Sequence, residues 1–205
     1  VGRGLVAEGL GAGRGLRGMV DATQKQRKMS ASRAKLPAPP PFAGPDDRPG
    51  NVDGAGTGLR TVLKATANSV NTAFVDIGNQ LDLCDIRDVA ARLGFHTPTG
   101  APIEVVPSMI LGSNLVAPLT MAAADATFAA NGLFCQPIAI TKVLDTAGKE
   151  LPLPTADCRQ VVAPNITSAV EYAMSKVLSE GTAKKSALAG GRVAAGKTGT
   201  TQNNV

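Results

Sequence analysis

Apolar residues recur at steps of three and four positions through much of the chain after residue 57, which is the period of helices buried along one face. Thr57 is a candidate N-cap for the first of these runs, and Gly94 is suited to end the second. The first run is long enough to be broken near its middle. The pattern predicts helices over residues 57–81, 85–93, 118–131 and 164–178.

The third predicted helix has clear signals at both ends. Pro118 is favoured in a first helical turn, and Asn131 with Gly132 is a good stop signal. Its helical spacing is carried by six apolar side chains. These are Leu119, Met121, Ala122, Ala126, Phe128 and Ala129.

Extended structure is predicted in two places. Residues 138–144 are rich in β-forming residues, and after a turn at 145–148 residues 149–153 can pair back as a hairpin. Residues 191–205 are a run of Thr and small residues, which suits an extended strand better than a helix. Residues 184–191 are predicted to be the loop that precedes this strand.

The start of the chain lacks these patterns. Residues 1–35 are rich in Gly and Arg and show no sustained period, and residues 37–50 are interrupted by many prolines, which exclude helix and central strand. We therefore divide the chain into residues 1–56, a degraded or poorly ordered Gly/Arg/Pro-rich segment, and residues 57–205, a folded region.

Composition modifies this picture in two ways. The chain has no Trp, one Tyr and five Phe against 23 Gly and 14 Pro, so its core rests on small aliphatic residues and its stability should be modest. The net charge of +5 would suit nucleic acid or an anionic cell wall or membrane surface. Because most of the excess lies in residues 1–35, a basic nucleic-acid-binding module there is one alternative, although that segment has no aromatic residues for stacking.

Three cysteines are present, Cys84, Cys135 and Cys158, and none of them forms a C-x-x-C motif, so no zinc site is predicted. Cys135 and Cys158 could pair across a hairpin, which would fit an oxidising compartment. Three small buried side chains are the slightly favoured alternative. No stretch is long and apolar enough to span a bilayer, so an export signal or anchor is expected outside this chain.

Three motif matches lack the structural context that they need. Residues 191–198 fit the Walker A pattern of a P-loop, so a P-loop nucleotide-binding protein is a second alternative, but neither a buried strand before them nor a helix after them is predicted. Residues 13–18 fit a dinucleotide fingerprint without its strand and helix. Ser32 and Lys35 match S-x-x-K, but the following prolines prevent the helix that would bring the two side chains together.

Two small motifs are more informative together than alone. Ser69-Val70-Asn71 fits S-x-N, and Lys197-Thr198-Gly199-Thr200 fits K-T-G-T, with more than half of the chain between them. Their spacing and surroundings resemble the transpeptidase domain of penicillin-binding proteins, over about residues 50–205. The resemblance is greatest to the bifunctional type, which joins a glycosyltransferase to a transpeptidase.

The resemblance implies an α+β, β-lactamase/transpeptidase-like fold with a helical region and an antiparallel sheet, here a fragment that lacks most of the sheet strands. It implies a serine D,D-transpeptidase that cross-links peptidoglycan stem peptides through an acyl-enzyme on D-Ala-D-Ala and is acylated by β-lactams. The catalytic residues would be Ser69, Asn71 and Lys197. Substrate would be bound by Thr198, Gly199, Thr200 and Thr201.

The chain also departs from the family pattern. The nucleophile of S-x-x-K should fall at or just before Val1, where no Ser stands, so no nucleophile is assigned within the chain and this fragment is expected to be inactive alone. Asp125 stands where an aromatic residue is usual, and a carboxylate there must be exposed or paired. No cofactor, metal or nucleic acid is expected. The membrane anchor and glycosyltransferase domain are expected outside this chain. The protein is expected at the extracytoplasmic face of the bacterial cell membrane.

Overall fold

A computed structural model describes residues 19–21, 50–51, 58–186 and 188–200. The helices in this part are α1 (Val62–Ala67), α2 (Asn71–Gly78), α3 (Leu83–Arg92), α4 (Pro118–Ala129) and α5 (Pro164–Ser179). Short 3₁₀ helices cover Pro107–Leu111, Lys184–Ser186 and Ala189–Gly191. The described part also contains two antiparallel pairs of strands. These are β1 (Met19–Asp21) with β2 (Leu59–Thr61), and β3 (Leu133–Cys135) with β4 (Cys158–Gln160). The described part is therefore α+β and rich in helix.

The helices enclose one apolar core. The helix α1 packs against α5, α4 packs against both α5 and β3, and α2 packs against the 3₁₀ helix Pro107–Leu111. Side chains from all of these helices are fully or almost fully buried in this core, among them Val70, Ile86, Leu93, Met109, Val170 and Met174. The core contains few aromatic side chains, as the composition led us to expect.

The first predicted helical run is broken, and its N-cap is not the predicted one. The Thr61 side chain caps α1 by accepting a hydrogen bond from the backbone N–H of Lys64 at 3.2 Å. Thr61 can do this because its extended backbone (φ −72°, ψ 151°) turns the hydroxyl back over the first turn. The predicted cap, Thr57, lies outside the described residues.

The break between α1 and α2 is a Schellman turn in which Ser69 occupies the left-handed position. The backbone N–H of Ser69 donates to the Thr66 carbonyl at 3.2 Å, and that of Val70 donates to the Ala65 carbonyl at 3.0 Å. Ser69 has φ +53°, where glycine is the usual residue. Ala65 and Val70 are completely buried, which gives the turn its hydrophobic contact.

The start of α2 is capped from a distant part of the chain. Val70, at the N-cap position, makes no capping side-chain bond. Asn51 takes its place: Oδ1 accepts from the backbone N–H of Thr72 at 3.0 Å, and Nδ2 donates to the Thr72 hydroxyl at 3.1 Å. A donor left unpaired at a helix start would carry a free-energy cost, so this contact ties residue 51 to α2.

The second and fourth predicted helices are confirmed with small changes at their ends. Asp82 caps α3 by accepting from the backbone N–H of Cys84 at 2.8 Å. Gly94 follows the helix with φ +84°, and a Cβ there would lie 2.5 Å from the ring of Phe134. Both facts require glycine at this stop. The helix α5 extends the predicted 164–178 by a single residue.

The end signals of α4 are confirmed, but of its predicted apolar positions only Phe128 belongs to the buried face. Leu119 is 66% exposed, and the three alanines of the predicted stripe are not buried. The buried residues are Thr120, Ala124, Thr127 and Phe128, a spacing of four, three and one. Because apolar side chains surround this helix, hydrophobic periodicity could not identify the face, and Asp125 lies on the exposed side.

The strand predictions are largely wrong. The hairpin predicted over 138–153 is reduced to an isolated bridge between Leu144 and Glu150, with the Leu151 N–H donating to Val143 at 2.9 Å. Many of its apolar side chains remain exposed, so β propensity brings little burial there. Residues 192–200 of the predicted strand 191–205 are not in a strand, because no described segment pairs with them, and residues 201–205 lie outside the described part.

The slightly favoured alternative, in which all three cysteines are small buried side chains, is wrong. Cys135 and Cys158 stand opposite each other in the β3–β4 pair and form a disulfide. Strand pairing brings their Cα atoms to 4.1 Å, which sequence spacing alone could not establish. Cys84 is free and half-buried.

Several predictions made for the start of the chain lie outside the described residues. These are the S-x-x-K match at Ser32, the fingerprint match at residues 13–18 and most of the basic segment 1–35. The division of the chain at residues 56 and 57 likewise stays a prediction. Within the first 56 residues, β1 and residues 50–51 are described, and both contact the folded region.

We expect Ser69→Gly to be more stable than Ser69→Ala by about 1 kcal/mol, because only alanine keeps the cost of a side chain in the left-handed turn. Both substitutions remove the hydroxyl, so their difference isolates the backbone term. Urea denaturation followed by circular dichroism measures it. The same pair of substitutions at Ser175, inside α5, should reverse the order, since glycine in a helix interior costs about 1 kcal/mol against alanine. Equal stabilities of the two Ser69 variants would contradict a strained turn.

Reduction of the Cys135–Cys158 disulfide should lower the free energy of unfolding by about 3 kcal/mol, given the 23-residue separation that it closes. The measurement is urea denaturation with and without dithiothreitol. A Cys135→Ser/Cys158→Ser variant should unfold at the same urea concentration as the reduced protein and should not respond to the reductant. Identical midpoints for oxidised and reduced wild type would refute the expected stabilisation.

Candidate active site

The two motifs meet in one cavity of about 160 Å³. Its floor is apolar, with side chains from α2, α5 and the 3₁₀ helix Pro107–Leu111, while its polar rim comes from the α1–α2 turn and from residues 197–200. The apolar lining includes Phe74, Ile110, Val170 and Met174, and the polar lining includes Thr66, Ser69, Asn71, Lys197, Thr198 and Thr200.

The central contact joins Lys197 to Ser69. Lys197 Nζ donates to Ser69 Oγ at 2.6 Å, across 128 positions of sequence, and also lies 3.0 Å from the Thr198 carbonyl oxygen. Both side chains are half-buried. The left-handed conformation of Ser69 makes the chain leave α1 at this point, so the backbone turn sets the direction of the hydroxyl.

Asn71 lies in the first turn of α2 and is fixed by the chain upstream. Its Nδ2 donates to the Gly50 carbonyl at 2.8 Å. With Asn51 capping the same helix turn, residues 50–51 hold the end of α2 that faces the cavity. The position of Asn71 therefore depends on a segment 21 residues away in sequence.

The segment with Lys197 is attached to α5 and to the turn that follows it. The backbone N–H of Gly196 donates to the Met174 carbonyl at 3.4 Å. The hydroxyls of Thr198 and Thr182 lie 2.6 Å apart. Thr182 is in turn bound to α1, because its backbone N–H donates to the Ala67 carbonyl at 3.0 Å.

Among the residues that the structure describes around this cavity, the charge has one sign. Among the described lining residues, Lys197 alone is ionisable, and the other polar groups are hydroxyls and the amide of Asn71. A single ammonium in a half-buried cavity with several hydroxyl donors favours an anion that accepts hydrogen bonds, such as a carboxylate.

The shifted pKa values in the described residues lie at the surface. The pKa of Arg87 is raised above its ordinary value because its guanidinium donates to the Asp88 carboxylate, and the pKa of Lys176 is raised because Nζ donates to Glu180. Neither residue lines the cavity. No group of three or more His, Cys, Asp or Glu side chains in the described residues could hold a metal ion.

Six of the seven predicted site residues therefore line the same cavity: Ser69, Asn71, Lys197, Thr198, Gly199 and Thr200. The seventh, Thr201, lies outside the described residues. The Walker A match at 191–198 lacks its context, because within residues 188–200 no strand precedes it and no helix follows it. A P-loop is thus not supported.

Sequence reasoning missed three residues that hold the site. Gly50 and Asn51 fix the end of α2, and Thr182 contacts Thr198. None belongs to a motif that carries chemistry. The turn signal Gly181-Thr182 after a predicted helix was visible, but only the fold shows that this turn lies against α1.

The comparisons with known proteins identify the family. The model of the family "Penicillin binding protein transpeptidase domain" matches residues 48–205. Among curated proteins, Penicillin-binding protein 1A of Aquifex aeolicus is 31% identical over 163 residues, which cover 80% of this chain and 22% of that protein. Penicillin-binding protein 1B of Vibrio cholerae is 31% identical over 157 residues, covering 76% and 20%. The chain thus spans about a fifth of these relatives.

Solved structures are similar over nearly the whole chain. PonA1 of Mycobacterium tuberculosis, in complex with penicillin V, has a TM-score of 0.74 and 27% identity, covering 98% of this chain and 51% of that one. The D,D-transpeptidase domain of a peptidoglycan glycosyltransferase from Eggerthella lenta has a TM-score of 0.76 at 19% identity, covering 98% and 52%. The β-lactamase/transpeptidase-like fold is thereby confirmed. By its family match and its paired motifs, this chain belongs to the penicillin-binding protein transpeptidase domains.

Proposed function

We propose that this chain supplies the carboxylate-binding side of the active site in a serine D,D-transpeptidase that cross-links peptidoglycan stem peptides. The observation that carries the proposal is the 2.6 Å hydrogen bond from Lys197 Nζ to Ser69 Oγ, which joins the two motifs at one cavity. The stem peptide ending in D-Ala-D-Ala is the proposed substrate.

The substrate's terminal carboxylate would bind at the rim formed by residues 197–200. Lys197 brings the positive charge, and Thr198, Thr200 and Thr201 bring hydroxyl donors. A hydrogen bond to a charged group contributes about 1.5–3 kcal/mol, more than a bond between neutral groups. Gly199 suits a bound peptide, because a Cβ there would meet nothing within 4 Å, so the space beside it is open for a ligand.

Ser69 is suited to pass a proton to the leaving amine. Its oxygen already accepts from Lys197 Nζ, so its own hydrogen is free to be donated away from the lysine. As Ser69 gives up that proton, the ammonium 2.6 Å away stabilises the oxygen and can replace the proton. Asn71 would hold the substrate amide, with its position fixed by the Gly50 carbonyl.

The reaction itself needs a nucleophilic serine, which the family pattern puts at or before Val1. Its oxygen would form a bond to the carbonyl carbon of the penultimate D-Ala while the peptide C–N bond breaks. The terminal D-Ala would leave as the protonated amine, and an amine of a second stem would then displace the serine. The backbone N–H of Thr200 would be one donor to the oxyanion, a contact whose loss typically lowers the rate by about 10² to 10³.

We further propose β-lactams as ligands and the extracytoplasmic face of the membrane as the location. The PonA1 structure contains penicillin V, and its fold is shared over this chain. The Cys135–Cys158 disulfide is exposed and fits an oxidising compartment. No helix among the described residues is long and apolar enough to cross a membrane. From the family match we propose that a membrane anchor and a glycosyltransferase domain belong to the whole protein.

We expect the chain to bind diacetyl-L-Lys-D-Ala-D-Ala as the free acid more tightly than as its C-terminal amide, because only the acid is an anion. An NMR titration of the ¹⁵N-labelled protein measures both affinities. Lys197→Met should weaken binding of the acid by about 10- to 100-fold, the equivalent of one charge-assisted hydrogen bond, and should leave the amide nearly unchanged.

Lys149→Met is the matched control, since it removes the same charge from the exposed segment 138–153, away from the cavity. It should bind both peptides as the wild type does. Equal affinities of the wild type for acid and amide, or equal losses in both lysine variants, would contradict a carboxylate site at Lys197.

Fluorescent penicillin should not label the 205-residue chain covalently, because no serine is assigned as the nucleophile. Gel fluorescence and intact-protein mass spectrometry after incubation check this. A stable adduct on any serine, Ser32 included, would show that the nucleophile lies within this chain and that Ser32 must be reconsidered.

A further inference from the structure

We propose that Thr182 is a positioning residue that orients the Thr198 hydroxyl toward the ligand carboxylate. The inference rests on the proposed function, since it assumes that Thr198 binds that carboxylate. Thr182 does not itself line the cavity, so it would act through Thr198.

The geometry fixes the two hydroxyls as a pair. Their oxygens are 2.6 Å apart, although the residues are 16 positions apart and lie on separate loops. Thr198 lines the cavity and is half-buried, whereas Thr182 is exposed and is not part of the lining. A ligand bound to the Thr198 hydroxyl would therefore be connected through it to Thr182.

The number of hydrogens decides the direction of the bond. Each hydroxyl has one hydrogen to donate. If Thr198 donates its hydrogen to a carboxylate, the Thr182 hydroxyl must be the donor in the contact between the two threonines. Thr182 then donates its hydrogen to the Thr198 oxygen, and the hydrogen of Thr198 stays available for the ligand. Hydrogen bonds arranged in this sequence also polarise one another and strengthen the last bond.

Thr182 can act in this way because its backbone is held rigidly. Its N–H donates to the Ala67 carbonyl at 3.0 Å, in the last turn of α1. The preceding residue must be small, because a Cβ on Gly181 would lie 2.0 Å from the same carbonyl oxygen. The turn after α5 thus packs closely against the end of α1 at Ala67, two residues before Ser69.

This attachment connects both motifs to the same helix, α1. Ser69 follows directly from α1, and Thr198 is tied to α1 through Thr182. Both residues are thereby held to the same end of α1, in addition to the contact of Gly196 with the Met174 carbonyl of α5. An ordinary loop threonine, outside any motif, would in this way contribute to the specificity of the cavity for a carboxylate.

The test compares Thr182→Val, which has the same shape without the hydroxyl, with Thr182→Ser, which keeps it. The affinities for diacetyl-L-Lys-D-Ala-D-Ala as acid and as amide are measured by NMR titration. The preference for the acid should fall by about three- to tenfold in Thr182→Val, the effect of one neutral hydrogen bond, and should be retained in Thr182→Ser.

Thr99→Val is the matched control. Thr99 is also exposed and its hydroxyl is 3.0 Å from that of another threonine, Thr97, at a site that does not contribute to the cavity. This variant should keep the full preference for the acid. A loss in both valine variants would indicate a general effect of removing a hydroxyl and would overturn the role of Thr182.

A second measurement needs no ligand. Three-bond couplings report the χ1 angle of Thr198, which should occupy one rotamer in the wild type and in Thr182→Ser but several in Thr182→Val. An unchanged rotamer and an unchanged acid preference in Thr182→Val would overturn this inference alone. Equal binding of acid and amide by the wild type would instead overturn the proposed function, and the carboxylate role of Thr182 with it.

Discussion

The hydrogen bond between Lys197 and Ser69 depends on the turn that ends α1. Ser69 adopts a left-handed backbone there, and the two backbone bonds of the Schellman turn close α1 behind it. A continued helix would carry the hydroxyl around the helix axis, away from residue 197. The break in the first helical run is thus a requirement of the cavity, and the burial of Val70 and Ala65 compensates for its cost.

The same turn is supported from both sides by segments that are remote in sequence. Residues 50–51 hold the start of α2, and residues 181–182 press on the last turn of α1. Each support uses a backbone carbonyl or a helix-end donor, groups that must be paired in any fold. Backbone groups that need partners anyway therefore position the side chains of the site.

The sequence predicted the helices better than the strands, for physical reasons. Helix ends depend on local signals such as Gly94 and Pro118, and these were confirmed. The strand over 138–144 was wrong because pairing depends on a partner that composition does not specify. The sequence identified Cys135 and Cys158 as a possible pair but could not decide whether they form a disulfide, since only the β3–β4 register brings them together. The site residues were predicted from two motifs, whereas Asn51 and Thr182 were missed because they act through contacts that no motif records.

A glycine at position 69 would relieve the turn, yet it would remove the hydroxyl that accepts from Lys197. The backbone cost of a serine in the left-handed region is about 1–3 kcal/mol, and it persists only where the surroundings fix the conformation. Here the fixed surroundings are the buried turn and the bond to Lys197. The strain and the hydroxyl therefore cannot be separated by substitution: the residue that stabilises the fold best at this position is one that cannot do the chemistry proposed for it.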